Sequence, residues 1–335
     1  SHRTDADIEL AGGTIDSETN LLPGNVLRVS ANSKVQSGEF EGEIRIDDGV
    51  TLTRAGRGRL TISGGLTFGD NAKLEILEKH DENWILGADM SVGPDAEISF
   101  DRVDVLRGTI VASGLDSSLS IRGPTIEDVE LVFRIPVDTS LSVLRNGDAI
   151  LKIDSPTGRL TGAGILKQSL DLGGRSRIAP GDNVGTLDVD GTLRLTGESR
   201  WDWEFRDAAG TAGTDWDLIQ VRDTIEADEL PAESIVLSIV GVDQNGDADH
   251  VANFDERRSQ TWQLATAGQI DGLTAAMFQV DADDFVRDVV LPVGAKFGTL
   301  IDDRTIFLHY EVLLGDINAD QELSVTDIDL LADLL

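Results

Sequence analysis

The sequence predicts an all-β chain: a parallel β-helix solenoid of the right-handed type, then a small antiparallel β unit, then a short calcium loop with a helix. Three observations carry this. The stretch from Leu66 to Ile76 sets a template, with apolar residues at its first, third, ninth and often eleventh places and a Gly/Asp/Asn/Ser-rich turn between the third and ninth. The template returns up to Trp201, its starts 17, 22, 24, 21, 22, 18, 19 and 23 residues apart. A unit that short cannot bury its own inward side chains, so neighbouring units must stack, as in a solenoid. Finally, apolar residues fall two apart in Thr51-Leu52-Thr53, Lys73-Leu74-Glu75-Ile76 and Ser118-Leu119-Ser120-Ile121, which is the period of strands and not of helices. A β-sandwich with strands at similar spacing is the rival architecture.

Taken in order, the coils are Leu27-x-Val29…Val35, Ile44-x-Ile46…Leu52, Leu66-x-Phe68…Leu74, Met90-x-Val92…Ile98 and Val111-x-Ser113…Leu119. Phe133-x-Ile135…Leu141, Leu151-x-Ile153…Leu160, Leu170-x-Leu172…Ile178 and Leu193-x-Leu195…Trp201 follow. Insertions such as 78–83 are expected to bulge out as loops. On this reading residues 1–204 form a solenoid of about nine coils, inward Leu/Ile/Val stacked and polar residues outward. Residues 205–312 keep β texture in Ile235–Val240, Thr261–Leu264, Val289–Leu291 and Thr305–Tyr310 without the coil template, and are expected to cap the open end, with continuation of the helix as the rival reading. Residues 313–335 form a separate C-terminal element.

Composition narrows the function classes. With 61 acidic against 28 basic residues the net charge is −33, which repels phosphate backbones and anionic head groups, so nucleic acid is not an expected partner. The same field favours cations. There is no cysteine, which removes disulfides, thiolate catalysis and Cys-ligated metals. No apolar run has the length to cross a bilayer, so membrane insertion is not expected, and the start of the chain lacks a signal peptide's apolar core and reads as a mature or trimmed end.

From Ile178 the texture changes. The run Ala179-Pro180-Gly181-Asp182-Asn183-Val184-Gly185-Thr186-Leu187-Asp188-Val189-Asp190-Gly191 is followed by a strand and then by Gly213-Thr214-Asp215-Trp216-Asp217-Leu218-Ile219-Gln220-Val221. This A-P-G-x-x-x-G-T-L-x-V-x-G plus G-T-D-x-D pattern resembles the β-helical passenger segments of autotransporter-type proteins and related secreted planctomycete proteins. The resemblance covers about residues 150–310 and implies an exported, extracellular β-helix without implying an enzyme.

The sharpest chemical motif is Gly315-Asp316-Ile317-Asn318-Ala319-Asp320-Gln321-Glu322-Leu323-Ser324-Val325-Thr326-Asp327. Calcium takes about six to eight oxygens from such a loop. Here Asp316, Asn318 and Asp320 offer side-chain oxygens, Glu322 its backbone carbonyl, Ser324 its hydroxyl or a bound water, and Asp327 closes the set. Ile328, Leu331 and Leu335 then share one helical face, and Ser324 with Asp327 can cap the helix start. The segment resembles the first half of a type I dockerin, whose twelfth ligand is also Asp. It departs from that pattern in having Gln321 where Gly makes the turn, and in stopping before a second repeat. A cohesin-like partner follows from the resemblance only with a longer tail, and the competing reading is an N-capped surface helix. A second calcium candidate is the D-x-N-x-D-x-D run of Asp243, Asn245, Asp247 and Asp249, with Gly246 for the turn, against a solvated hairpin loop.

Enzymatic signals are weaker. Asp101 with Asp104, or the inserted His80-Asp81-Glu82, could pair as acid and base, but scattered acids are expected at this composition. Trp201 and Trp203 share a strand face and read as core or cap before sugar platform. The expectation is an extracellular structural or adhesive solenoid, calcium-stabilised, in a surface layer, fibre or matrix. Its partners would be further copies of itself or another extracellular protein, with polysaccharide as a further candidate. The alternative is a polysaccharide-active β-helix enzyme or carbohydrate-binding protein displayed through a dockerin-like tail.

Overall fold

The computed structural model describes residues 2–4, 6–15, 19–54, 60–76, 84–100, 105–114, 117–122, 129–136, 139–145, 150–154, 158–181, 183–285, 291–292 and 294–312. These residues are all-β, and the only helical turn among them is the short 3-10 turn Ala275–Met277. The chain divides into two units, residues 1–171 and 172–335.

In the first unit each coil supplies short strands on three sides, and every strand pairs in parallel with the strand one coil on. One ladder runs from Ile8–Ile15 through Val26–Val35, Glu43–Ile46, Leu66–Phe68, Trp84–Val92, Val105–Ala112 and Val129–Arg134 to Arg159–Gly162. Its register stacks Leu27, Ile44, Leu66, Met90, Ile110, Phe133 and Leu160, each no more than 5% exposed. A second ladder continues from the end of Val26–Val35 into Thr51–Arg54, Lys73–Ile76, Ala96–Phe100, Ser117–Arg122 and Ser140–Arg145. A third links His2–Thr4, Thr19–Leu21, Gly38–Phe40, Leu60–Ile62 and the start of Trp84–Val92. Burying each such Leu, Ile or Phe is worth about 1.5–3 kcal/mol, so the stacked interior is the main source of stability.

The parallel strand stacking expected of a β-helix is present, but three registers differ from the template. Ile110 and Ala112, not Val111 and Ser113, align with Met90 and Val92. Ile110 and Val111 are both β-branched, either suits a strand, and a one-residue slip exchanges the two faces. Val35 lies beside Arg54 and Ser33 beside Leu52, because the step from Leu27 to Ser33 is two residues shorter than that from Ile44 to Leu52. Arg54 therefore stands inside, fully buried, between Val35 and Ile76. The ladder mate of Phe133 is Leu160, whereas Leu151 and Ile153 lie in Ile150–Asp154 outside that ladder.

The corners are fixed by backbone geometry. Gly49, Asn71 and Asp95, at the same corner of successive coils, have φ of 67°, 55° and 54°, the left-handed region that Gly, Asn and Asp tolerate best. Gly49 N–H donates to the Asp70 carbonyl at 2.7 Å and Asn71 N–H to the Pro94 carbonyl at 2.8 Å, tying each corner to the next. At another corner a Cβ on Gly64 would collide with the Gly42 carbonyl oxygen. Gly64→Ala is expected to cost about 1–3 kcal/mol through overpacking. Gly114→Ala, whose Cβ would meet nothing within 4 Å, is expected to stay within about 0.5 kcal/mol of the parent. Urea midpoints of the two variants check this; equal midpoints would refute the close corner packing.

The second unit repeats the three-sided plan. Ser176–Pro180, Ser199–Phe205, Ile235–Gly241 and Phe278–Asp281 form one parallel ladder. Thr186–Val189 and Leu193–Leu195 both pair with Leu218–Ala227, which pairs with Gln260–Asp271. Parallel pairing thus runs on well past residue 205. Among the described residues the antiparallel strand pairs are those of the hairpin Lys296–Ile301 and Thr305–Glu311, the latter added to the edge of Gln260–Asp271, beside isolated antiparallel bridges at Phe205–Trp216 and Val242–Ala248. Beside this hairpin the interior changes from aliphatic to aromatic: Phe254, Trp262, Phe285, Phe297 and Tyr310 touch one another, with ring centroids 4.8–6.2 Å apart. Large rings supply the apolar area that one hairpin needs to close a coil.

Candidate functional site

Two excursions leave the ladders of the second unit and lie against each other. Residues 206–216 depart after Phe205, and residues 242–253 depart after Gly241. Ala208 N–H donates to the Ala252 carbonyl at 2.8 Å and Ala252 N–H to the Arg206 carbonyl at 2.9 Å. Asn253 Nδ2 reaches both oxygens of Asp207 at 2.8 and 2.9 Å. Asn183 Nδ2 donates to the Gln244 carbonyl at 3.3 Å, so the A-P-G-x-x-x-G turn joins the same cluster.

The second calcium candidate sits on this cluster, where its oxygens serve the loop itself. Asp243 Oδ1 accepts from Asn245 N–H at 2.7 Å and Asp247 N–H at 3.0 Å, and Oδ2 accepts from Asn245 Nδ2 at 3.0 Å. Asp243 N–H donates to the Asp247 carbonyl at 2.8 Å, and Gly246, at φ 85°, donates to the Asp243 carbonyl at 3.2 Å. The bond from the Asn245 backbone leads the effects that hold the Asp243 carboxyl below its usual range. Asp249 Oδ1 accepts from His250 N–H at 2.8 Å. Among the described residues no three His, Cys, Asp or Glu side chains gather as a group able to hold a metal ion. Asp243 and Asn245 are thus brought together, while Asp247 and Asp249 remain exposed. The first candidate, Asp316, Asn318, Asp320, Glu322, Ser324 and Asp327, lies outside the described residues, as do His80-Asp81-Glu82 and Asp101 with Asp104.

Asp217 is the most unusual titratable group of the unit, and the sequence reading passed over it. It is 1% exposed at the point where residues 206–216 rejoin the ladder. Its Oδ1 accepts from Gly185 N–H at 2.9 Å and its Oδ2 from Glu204 N–H at 2.8 Å. Its backbone carbonyl accepts the Trp203 indole N–H at 2.9 Å. Burial pushes the Asp217 carboxyl well above its ordinary value, against the two backbone bonds that favour the charged form. A Cβ on Gly213 would strike Thr186 Oγ1, so the two motifs meet at a second point. The spacing between A-P-G-x-x-x-G-T-L and G-T-D-x-D is therefore structural: one motif supplies the amide, the other the carboxylate.

Trp201 and Trp203 are both fully buried and stack at 5.4 Å, which places them in the core and away from any sugar. Elsewhere side chains bridge successive coils. Asp7 accepts from Val26 N–H at 2.8 Å, Asn32 from Thr51 N–H at 2.8 Å and Asp48 from Asp70 N–H at 3.0 Å. Arg28 pairs with Asp47 at 2.8 Å, Arg222 with Asp190 at 2.6 Å, and Arg194 with Glu226. No protein-family model and no curated protein matches the chain.

Proposed function

We propose that the chain is a non-catalytic structural β-solenoid that works outside the cell, stabilised by calcium at Asp316–Asp327, and that it acts by associating with copies of itself or with another extracellular protein. One observation carries the reading: a recurring set of polar side chains holds one coil to the next. Asp7, Asn32 and Asp48 cap the amides of neighbouring coils, and Asp217 ties the turn at Gly185 to the strand at Glu204. A chain that spends its carboxylates in this way is built for persistence of shape. The excess of 61 acids over 28 bases adds a reason for calcium, since divalent cations relieve self-repulsion.

Melting and sedimentation of the intact chain with calcium and with chelator test this. Calcium is expected to raise the melting temperature, and Asp316→Ala with Asp320→Ala to remove most of that gain. Saturating a site at one hundred times its dissociation constant is worth about 2.7 kcal/mol. A monomer with the same melting temperature in both conditions would overturn the proposal.

A further inference from the structure

The sequence contains two Asn–Gly dipeptides: Asn146–Gly147, outside the described residues, and Asn245–Gly246, in the exposed loop that carries the second calcium candidate. We propose that Asn245 is a site of spontaneous covalent modification, deamidation through a succinimide, held in check by Asp243. The inference is independent of the structural role argued above and stands or falls on the chemistry of this loop.

Gly246 has no side chain to shield its nitrogen, and Asn245 is open to water. The Gly246 backbone nitrogen attacks Asn245 Cγ, forming the new C–N bond of the cyclic imide. The Cγ–Nδ2 bond breaks, and Nδ2 takes up the proton released by the Gly246 amide and leaves as ammonia. Water then adds across either imide C–N bond, its hydroxyl to the carbonyl carbon and its proton to the nitrogen. The product is aspartate at position 245 or its isomer with the chain running through the side-chain carbonyl. Nothing is oxidised or reduced, and water is the only co-reactant.

Asp243 restrains both reacting groups. Its Oδ2 accepts from the leaving nitrogen, Asn245 Nδ2, at 3.0 Å. Its carbonyl accepts from the attacking nitrogen, Gly246 N–H, at 3.2 Å, and its Oδ1 fixes the Asn245 backbone at 2.7 Å. Attack requires the Gly246 N–H to leave that carbonyl and the Asn245 amide to rotate, so the hydrogen bonds stabilise the ground state against reaction. Once modified, position 245 presents a carboxylate where its amide donated to Asp243. The bond is lost, like charges face each other, and the D-x-N-x-D-x-D run becomes wholly acidic. The modification therefore changes the charge and shape of the loop irreversibly as the protein ages.

The test is incubation of the intact folded chain at mildly alkaline pH, followed by peptide mass mapping and isoaspartate-specific methyl labelling. Conversion at Asn245 is expected in the folded protein, and severalfold faster in Asp243→Ala. Asp243→Asn, which keeps one acceptor oxygen, is expected to fall between, and the urea-unfolded parent gives the unrestrained rate. Near-ultraviolet circular dichroism establishes that each variant is folded. No conversion in the folded parent over a period in which the unfolded chain reacts fully would overturn the site. An Asp243→Ala rate equal to that of the parent would overturn the restraint.

Discussion

Asp217→Ala should lower the stability of the second unit by about 2–6 kcal/mol, because it leaves the N–H groups of buried Gly185 and half-buried Glu204 without acceptors at about 1–3 kcal/mol each, the upper end applying to Gly185. Urea unfolding followed by tryptophan emission measures this directly, since Trp203 donates to the Asp217 carbonyl and lies beside the lesion. A loss below about 0.5 kcal/mol, the range of an inert surface change, would show that the carboxylate holds nothing. Asp217→Asn keeps the shape and one acceptor but turns an NH2 group toward the other donor, so it should lose about half as much.

The same residue sets a pH dependence with a definite sign. Burial raises the folded-state value of Asp217 above that of the unfolded chain, about 3.9. Above that pH the folded state binds more protons than the unfolded state, so the slope of stability against pH is negative for this group. Its contribution is fully present below the unfolded value and is lost as pH rises through the folded one. The stability of the parent relative to Asp217→Asn should therefore fall as pH increases from about 4 toward neutrality. A difference that is flat, or that rises with pH, would mean that the two backbone donors outweigh burial and hold the group ionised.

How far this could be read in advance depended on whether the information was local. Period-two alternation identified Leu66–Phe68 and Lys73–Ile76 as strands, and both are strands with alternate residues inside. It could also have found Arg54, which continues the inward positions of Thr51-Leu52-Thr53, but a charged residue reads as an outward one until its neighbours are known. Register was harder. Choosing between Ile110 and Val111 depends on how many residues the preceding corner uses, and both satisfy the strand pattern equally. The Asp217 joint was the least legible part of the unit. Asp217 and Gly185 are 32 residues apart, and neither is unusual alone. The only signal was that two glycine-containing motifs flank one strand-patterned stretch, which carries meaning once that stretch is known to return the chain to the same side. Residues past 205 were hard to read for a related reason: their longer strands drop the coil template, yet they continue the parallel pairing.

Trp203→Ala is expected to cost about 3–5 kcal/mol, the range for deleting a buried aromatic side chain. The side chain is fully buried, stacks on Trp201 at 5.4 Å and donates to the Asp217 carbonyl at 2.9 Å, so the deletion removes both a ring contact and a hydrogen bond. Trp203→Phe separates the two: it keeps most of the apolar area and loses the donor, leaving the Asp217 carbonyl without that partner, for about 1–3 kcal/mol. Combined with Asp217→Ala, neither change should be additive, because both act on one joint, and contacting residues typically couple by about 0.5–3 kcal/mol. The sign of that coupling is informative. Trp203→Ala opens space beside the joint through which water can reach the Gly185 and Glu204 amides, so the second substitution should cost less in its presence than alone. Strict additivity in urea unfolding would mean that the indole and the carboxylate stabilise separate parts of the unit. In that case the joint would be two independent contacts that happen to share a residue, and residues 206–216 could open without disturbing the tryptophan stack.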